Sequence, residues 1–218
     1  MITNEAFREA VLKFKIEESR GSFYDMAVNL FNKGFKTEAY LVILATWNFA
    51  NFRYAVKNFD LIAFRDTLNF LEKNYEHLDG KEFRTAGFDA LHEDIETIYN
   101  TLSAINGIRY TGSPKLMHLR NRKLFIMWDG YIRGLRPKRY YENLDIVKKG
   151  DWEIKKYGKK AEDYVEFLKD MQKRFAHINF IESEKTFAKA VDEFNYVNIT
   201  LPIQEMENEE KKTSRERK

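Results

Sequence analysis

Runs of apolar residues spaced three and four apart fill most of this chain, and they stop at single glycines rather than in proline-rich loops. That period is one face of an α-helix. Only ten glycines and three prolines occur in 218 residues, too few for a sheet sandwich with its turn every ten residues or so. The expected fold class is therefore all-α, a multi-helix bundle. At this length folding buries roughly 70% of the unfolded chain's surface, so a core forms without staples. Cysteine is absent, which excludes thiolate metal sites, cysteine nucleophiles and disulfide frameworks and makes a reducing cytoplasm the expected compartment.

The individual helices follow from caps and periodicity. Phe7, Val11 and Phe14 mark a first helix over 5–20 behind a Thr3/Asn4 cap. After Gly21, Ser22 with Asp25 reads as a capping box opening a second helix that carries Met26, Ala27, Leu30 and Phe31 up to Gly34. Thr37 caps a third, over 39–52 and including Trp47, so apolar all round that it is expected at the buried centre. Leu61, Phe64, Leu68 and Leu71 predict a helix over 60–78, and Phe88, Leu91, Ile95, Ile98 and Leu102 another reaching Ile105. Two more are expected over 161–175 and 184–194. Residues 1–204 read as one all-α domain, with 105–112 a candidate hinge between two lobes and 205–218 a frayed, charged tail. No basic-then-apolar leader opens the sequence, and no apolar run approaches the ~20 residues of a membrane span, so no membrane partner is expected.

Charge is distributed unevenly. Between 108 and 140 nine basic residues (Arg109, Lys115, Arg120, Arg122, Lys123, Arg133, Arg136, Lys138 and Arg139) face one acid, Asp129. With the whole chain at +3, this segment carries +8 and the rest −5. Such a segment is either a solvated face or a surface for a phosphate-bearing partner. The aromatics Tyr110, Trp128, Tyr140, Tyr141 and Trp152 are interleaved with these cations, as bases stacked beside bound phosphates require.

The same segment holds the candidate chemistry. Ser113 reads as an N-cap with Pro114 at the first helical position, which places Lys115 in the first turn. The amides of Gly112 and Ser113 would then face a phosphate. The same field, with other cations nearby, would ease the proton off Lys115 and leave a nucleophilic amine. The plainer readings are an exposed lysine or an ion pair with Asp129. Asp129 itself reads as the cap of a short helix ending at Gly134.

This order of helix, glycine-bearing hairpin, helix with an early lysine, and apolar run ending in aspartate resembles the helix-hairpin-helix DNA glycosylases of the endonuclease III and oxoguanine glycosylase type. The resemblance covers about 97–133, and the helical layout around it loosely. It implies that Gly107, Gly112 and Ser113 grip a DNA phosphate, that Lys115 attacks the sugar carbon of a damaged nucleotide, and that Asp129 activates it or stabilises the cationic sugar. The hairpin departs from the family's Gly-hydrophobic-Gly, since Arg109, Tyr110 and Thr111 intervene before Gly112, and the Lys115-to-Asp129 interval is shorter than usual. The segment more closely resembles a group of uncharacterised microbial helical proteins with Ser-x-Lys-x-x-His-x-Leu followed by Leu-Phe-x-x-Trp-Asp, matched here by Ser113, Lys115, His118, Leu119 and 124–129. That kinship implies a glycosylase-like fold in which Lys115 and Asp129 lock two elements together.

Other chemistry finds little support. His92 and Glu96 share a helix face but do not complete a zinc site, so neither metal nor cofactor is expected. No phosphate-binding Gly-x-x-x-x-Gly-Lys loop, dinucleotide fingerprint or serine elbow occurs. Two functions stay open. One is a nucleic-acid-binding protein of glycosylase-like architecture that uses the 105–140 segment on the DNA backbone, with base excision or strand cleavage by Lys115 as its enzymatic form. The other is a non-catalytic helical interaction module whose basic segment docks an acidic partner or a second copy of the chain.

Overall fold

Twelve α-helices and no strand make up the residues that the computed structural model describes, 1–181 and 185–216. They are α1 (Asn4–Glu17), α2 (Gly21–Asn32), α3 (Lys36–Trp47), α4 (Phe49–Ala55), α5 (Leu61–Leu78), α6 (His92–Ser103), α7 (Arg109–Arg120), α8 (Lys138–Glu142), α9 (Asp145–Lys148), α10 (Ala161–Phe175), α11 (Phe187–Asn195) and α12 (Leu201–Glu216). A π-helical turn, Tyr196–Thr200, joins the last two. Among the described residues no helix is long and apolar enough to cross a membrane.

Sequence grammar accounts for several helix starts. The Thr3 hydroxyl accepts from the Ala6 amide at 3.1 Å, and the Asp60 carboxylate caps α5 through Ala63 at 2.9 Å. Each cap supplies an acceptor that the first helical turn lacks. Other starts differ. The second helix begins at Gly21 without a side-chain cap, so the Ser22–Asp25 box is not made. The long third helix is broken at Asn48, whose buried amide donates to the carbonyls of Gly107 (2.8 Å) and Ile108 (3.1 Å) and pins the 105–112 segment against α3 and α4. A side chain on Gly107 would meet the Ala55 Cβ at 2.5 Å, so this candidate hinge is tightly packed. Glu184, the expected start of the last amphipathic helix, lies outside the described residues.

The centre of the molecule is not the 39–52 segment but α7 and α11. Every residue of α11 is buried, and so are residues 112–119 of α7. Helix α1 packs on α11, α3 and α6 on α7, and α10 on α6, around one continuous core. Trp128 anchors it, fully buried against Tyr99, Tyr164 and Phe167. A buried side chain of this size contributes roughly 4–6 kcal/mol by its area alone.

Where the sequence reads as a frayed tail, the chain continues as α12 to Glu216. Its acids find partners on the 131–140 segment. Glu207 accepts from Tyr131 at 3.0 Å and pairs with Arg136 at 2.9 Å, while Glu210 accepts from Tyr140 at 2.6 Å and Arg139 at 3.1 Å. Charge that looks solvating in one dimension is here the seam between two elements.

Candidate functional site

Residues 124–128 are a wholly buried, non-helical run that leaves a turn at Asn121 and has no strand beside it among the described residues, so their backbone carbonyls need donors from elsewhere. Side chains supply them. The His118 ring donates to the Phe125 carbonyl at 2.6 Å, Tyr164 to that of Ile126 at 2.8 Å, and Lys115 Nζ to that of Trp128 at 3.2 Å and of Thr111 at 2.8 Å. Lys115 and His118 are one turn apart on α7 and reach carbonyls three residues apart on this buried run. Pro114 completes the lock: its missing N–H frees the Tyr110 carbonyl, which accepts instead from Trp128 Nε1 at 2.9 Å and Tyr99 at 3.2 Å.

These contacts correct the reading of Lys115 as a first-turn residue. Helix α7 starts at Arg109, four residues before Ser113, so Ser113 and Pro114 lie inside it and Lys115 is mid-helix and 6% exposed. Burial pushes the Lys115 amine below its ordinary range, against the opposing pull of Asp129 and Asp192. Asp129 does not pair with it. One Asp129 oxygen accepts from the Tyr131 and Ile132 amides at 2.8 and 2.9 Å, which caps a turn over 130–134 where the sequence predicts a short helix, and the other from Thr200 at 3.0 Å. The hairpin donors are committed as well. The Gly112 amide donates to the Ile108 carbonyl at 3.0 Å, and buried Ser113 hydrogen-bonds Ser103 and the Arg109 carbonyl, both at 2.8 Å.

The basic residues of 108–140 do not form one open face. Arg120 bridges Glu72 and Asp79 at 3.1 and 2.9 Å, Lys123 reaches Glu82 at 2.7 Å, Lys138 pairs with Glu142 at 2.9 Å, and Arg136 and Arg139 hold α12. Arg133 is fully buried between the rings of Tyr110 and Trp128, 4.7 and 4.8 Å away, and donates to the carbonyls of Tyr157 and Gly158. Arg109, exposed at the start of α7 with φ +52°, and Arg122 make no ion pair among the described residues. Of the aromatics expected to stack bases, Trp128, Tyr140, Tyr141 and Trp152 are buried.

A different place gathers polar and ionisable groups around open volume. A cleft of about 780 Å³ opens between α1, α2 and α11, walled by Phe14, Lys15, Glu18, Tyr24, Asp25, Arg122, Lys185 and Lys189 among others. Its floor is preorganised. Buried Lys189 sits 4.6, 4.8 and 4.7 Å from the rings of Phe14, Tyr24 and Trp47, with Asp192 at 2.8 Å and Glu193 at 3.7 Å. Burial raises the Asp192 carboxyl even with Lys189 beside it. Burial also pushes Glu18 upward, but the hydrogen bonds from Arg20 outweigh it and hold Glu18 below the usual carboxylate range.

Tyr24 is fixed by His118. Burial lowers the His118 ring to about 3, so it is neutral at neutral pH. Because its Nδ1 faces a carbonyl, which only accepts, Nδ1 carries the proton and Nε2 accepts from the Tyr24 hydroxyl at 2.7 Å. The hydroxyl, held far above its ordinary range by burial, does not ionise. This pair is a strut for the cleft wall rather than a proton relay.

Sequence reasoning found Arg122 and Lys123 but missed Tyr24, Lys189, Asp192 and Glu193. Residues 189, 192 and 193 are spaced as an ordinary surface salt bridge, and only the apolar residues on every other side of α11 hint that this face is covered as well. His92 and Glu96 lie 3.9 Å apart on the surface of α6, and no group of three metal-binding side chains forms among the described residues. In comparisons with known proteins, no family model, no curated protein and no solved structure matches this chain.

Proposed function

We propose that this chain is a non-catalytic helical binding protein whose ligand is a phosphate-bearing organic molecule of nucleotide size, held in the α1–α2–α11 cleft. The observation that carries this reading is the charge accounting of the wall. Lysines 15, 123, 185 and 189 and Arg122 line it with the acids Glu18, Asp25 and Glu193; Lys123 is paired with Glu82 and Lys189 with Asp192, both outside the wall, which leaves Lys15 and Arg122 against Asp25. Glu193 is spoken for by Lys185 at 2.6 Å and by Lys189, and Glu18 by Arg20. Lys15 and Arg122 have no carboxylate partner among the described residues, and Arg122 spends one nitrogen on the Asn32 side chain at 3.2 Å. Their free donors suit a phosphate, while Phe14, Tyr24 and Val28 offer apolar wall to the rest of the ligand. The volume lies in the range of ordinary small-molecule sites.

This reading keeps the expected phosphate partner and two of its expected residues, Arg122 and Lys123, and moves the contact from the hairpin into the cleft. The glycosylase-type alternative needs a sugar carbon to reach Lys115, which is enclosed and bonded to two carbonyls. Calorimetric titration with AMP, ribose 5-phosphate and adenosine tests the proposal. AMP binds saturably, Arg122→Ala weakens it by about tenfold or more, as loss of a charged hydrogen bond requires, and added salt weakens it further. Saturable binding by none of the three at millimolar concentration, or adenosine binding as tightly as AMP, overturns it.

A further inference from the structure

Helix α4 and the 3₁₀ turn that follows it, Val56–Asn58, set one face against the core and leave the other uncovered. The inner face is firmly seated. Phe52 and Ala55 are buried, Phe52 packs edge-on against Phe59 at 5.2 Å, and the 107–111 segment is tied on by Asn48 to Gly107 at 2.8 Å and Asn51 to Thr111 at 2.9 Å. The outer face is apolar and basic together. Phe49, Tyr54 and Val56 are 54%, 76% and 57% exposed, and Ile62, in the first turn of α5, is 74% exposed. Phe49, Arg53 and Lys57 follow one another at four-residue spacing along this side, with Tyr54 and Val56 next to them. The Arg53 guanidinium lies over the rings of both Phe49 and Tyr54, 5.7 and 4.6 Å from their centres, so the three form one exposed cluster.

Charge indicates what covers this face. From 39 to 64 the single acid is Asp60, and its carboxylate caps α5 through the Ala63 amide at 2.9 Å. Arg53 and Lys57 make no ion pair among the described residues, and neither does Arg109, which lies between two residues that touch α4. Arg120, Arg136 and Arg139 are matched with carboxylates; these three cations are not.

We propose that the α4 face rests on an anionic membrane surface, with Phe49, Tyr54, Val56 and Ile62 entering the headgroup layer and Arg53, Lys57 and Arg109 meeting the acidic lipid headgroups. Exposed apolar side chains gathered in one place and rimmed by polar ones mark an interaction surface. A lipid surface fits both halves of this one, since aromatic rings settle at headgroup level and each Lys or Arg beside anionic lipid adds attraction. A nucleic-acid strand fits less well: Val56 and Ile62 offer no ring for a base to stack on, and Arg53 already covers the rings of Phe49 and Tyr54. The absence of a spanning helix among the described residues concerns crossing a bilayer, not resting on one, so the attachment is peripheral.

The test is cosedimentation of the full chain with phosphatidylcholine vesicles, with and without phosphatidylserine, at low and at physiological salt. The chain partitions onto the anionic vesicles, and added salt weakens it. Arg53→Gln with Lys57→Gln lowers the partition coefficient at least tenfold, as the loss of two cations at roughly fivefold each implies, and Phe49→Ser with Tyr54→Ser lowers it at least fivefold. All four side chains are exposed, so these variants keep the wild-type melting temperature. Tyr54→Trp, which keeps an aromatic ring, binds as the wild type does and gains emission that brominated lipid quenches. Arg122→Ala, which alters the α1–α2–α11 cleft, leaves vesicle binding unchanged, so failure here is distinct from failure of the cleft proposal. No partitioning onto anionic vesicles at low salt, equal partitioning onto both kinds of vesicle, or binding that survives either double variant overturns the proposal. So does tighter binding of a single-stranded oligonucleotide, or self-association of the chain, that the same variants abolish, since the face then belongs to a nucleic acid or to a second copy.

Discussion

His118 shows what a single buried side chain does here. It orders the buried 124–128 run through Phe125 and the cleft wall through Tyr24, and it does both only as the neutral ring. Its folded value, about 3, lies below the 6.5 of an exposed histidine, so the unfolded chain binds this proton more readily. The folded state bears no penalty from this group above pH 6.5 and an increasing one as pH falls towards 3, amounting to roughly 3–5 kcal/mol at the acid end. Urea midpoints measured from pH 7.5 to 4 should therefore fall steeply for the wild type and less steeply for His118→Gln, even though the variant starts lower at pH 7.5. Parallel slopes would remove His118 from the acid response. The sequence signals this residue only as part of a pattern with Ser113 and Lys115; that the three are buried is illegible locally. Lysine is ordinarily exposed, and what draws Lys115 inward is the Trp128 carbonyl, thirteen residues away and stripped of sheet partners.

At the scale of elements, periodicity locates most helices to within a few residues because amphipathic faces are local patterns. It fails where the deciding contact is distant. Asn48 ends α3 early because the carbonyls at 107 and 108 use its amide, and α12 persists past 204 because Arg136 and Arg139 meet Glu207 and Glu210. The cleft is illegible for the same reason, since its walls come from residues 14–28, 122–123 and 185–193. The account of α12 is testable by hydrogen exchange. Arg136→Ala removes a half-buried pair worth about 1 kcal/mol, so amides of the last three turns of α12 should exchange several-fold faster while those of α7 and α11 do not change. Uniform acceleration throughout the chain would mean that α12 is not separately held by this seam.

Across the whole molecule, the charge asymmetry visible in the sequence is mostly resolved inside the fold. The +8 segment and the −5 remainder are complementary, and Arg120, Lys123, Arg136 and Arg139 bind acids of α5, the 79–82 turn and α12. A cation already paired with a carboxylate releases little counterion when DNA approaches, so the steep salt dependence of an open basic face is not expected. Titration of a labelled duplex, with and without an abasic-site analogue, should give weak binding equal for the two duplexes and a shallow salt slope. Arg120→Ala should lower the melting temperature without altering that weak affinity, because Arg120 ties α7 to α5 and to Asp79. Borohydride trapping on the abasic duplex should yield no adduct at Lys115. Tight, lesion-selective binding with a covalent adduct lost in Lys115→Gln would show instead that α7 and the 124–128 run separate in solution, exposing the lysine, and would restore the glycosylase-type reading over the cleft.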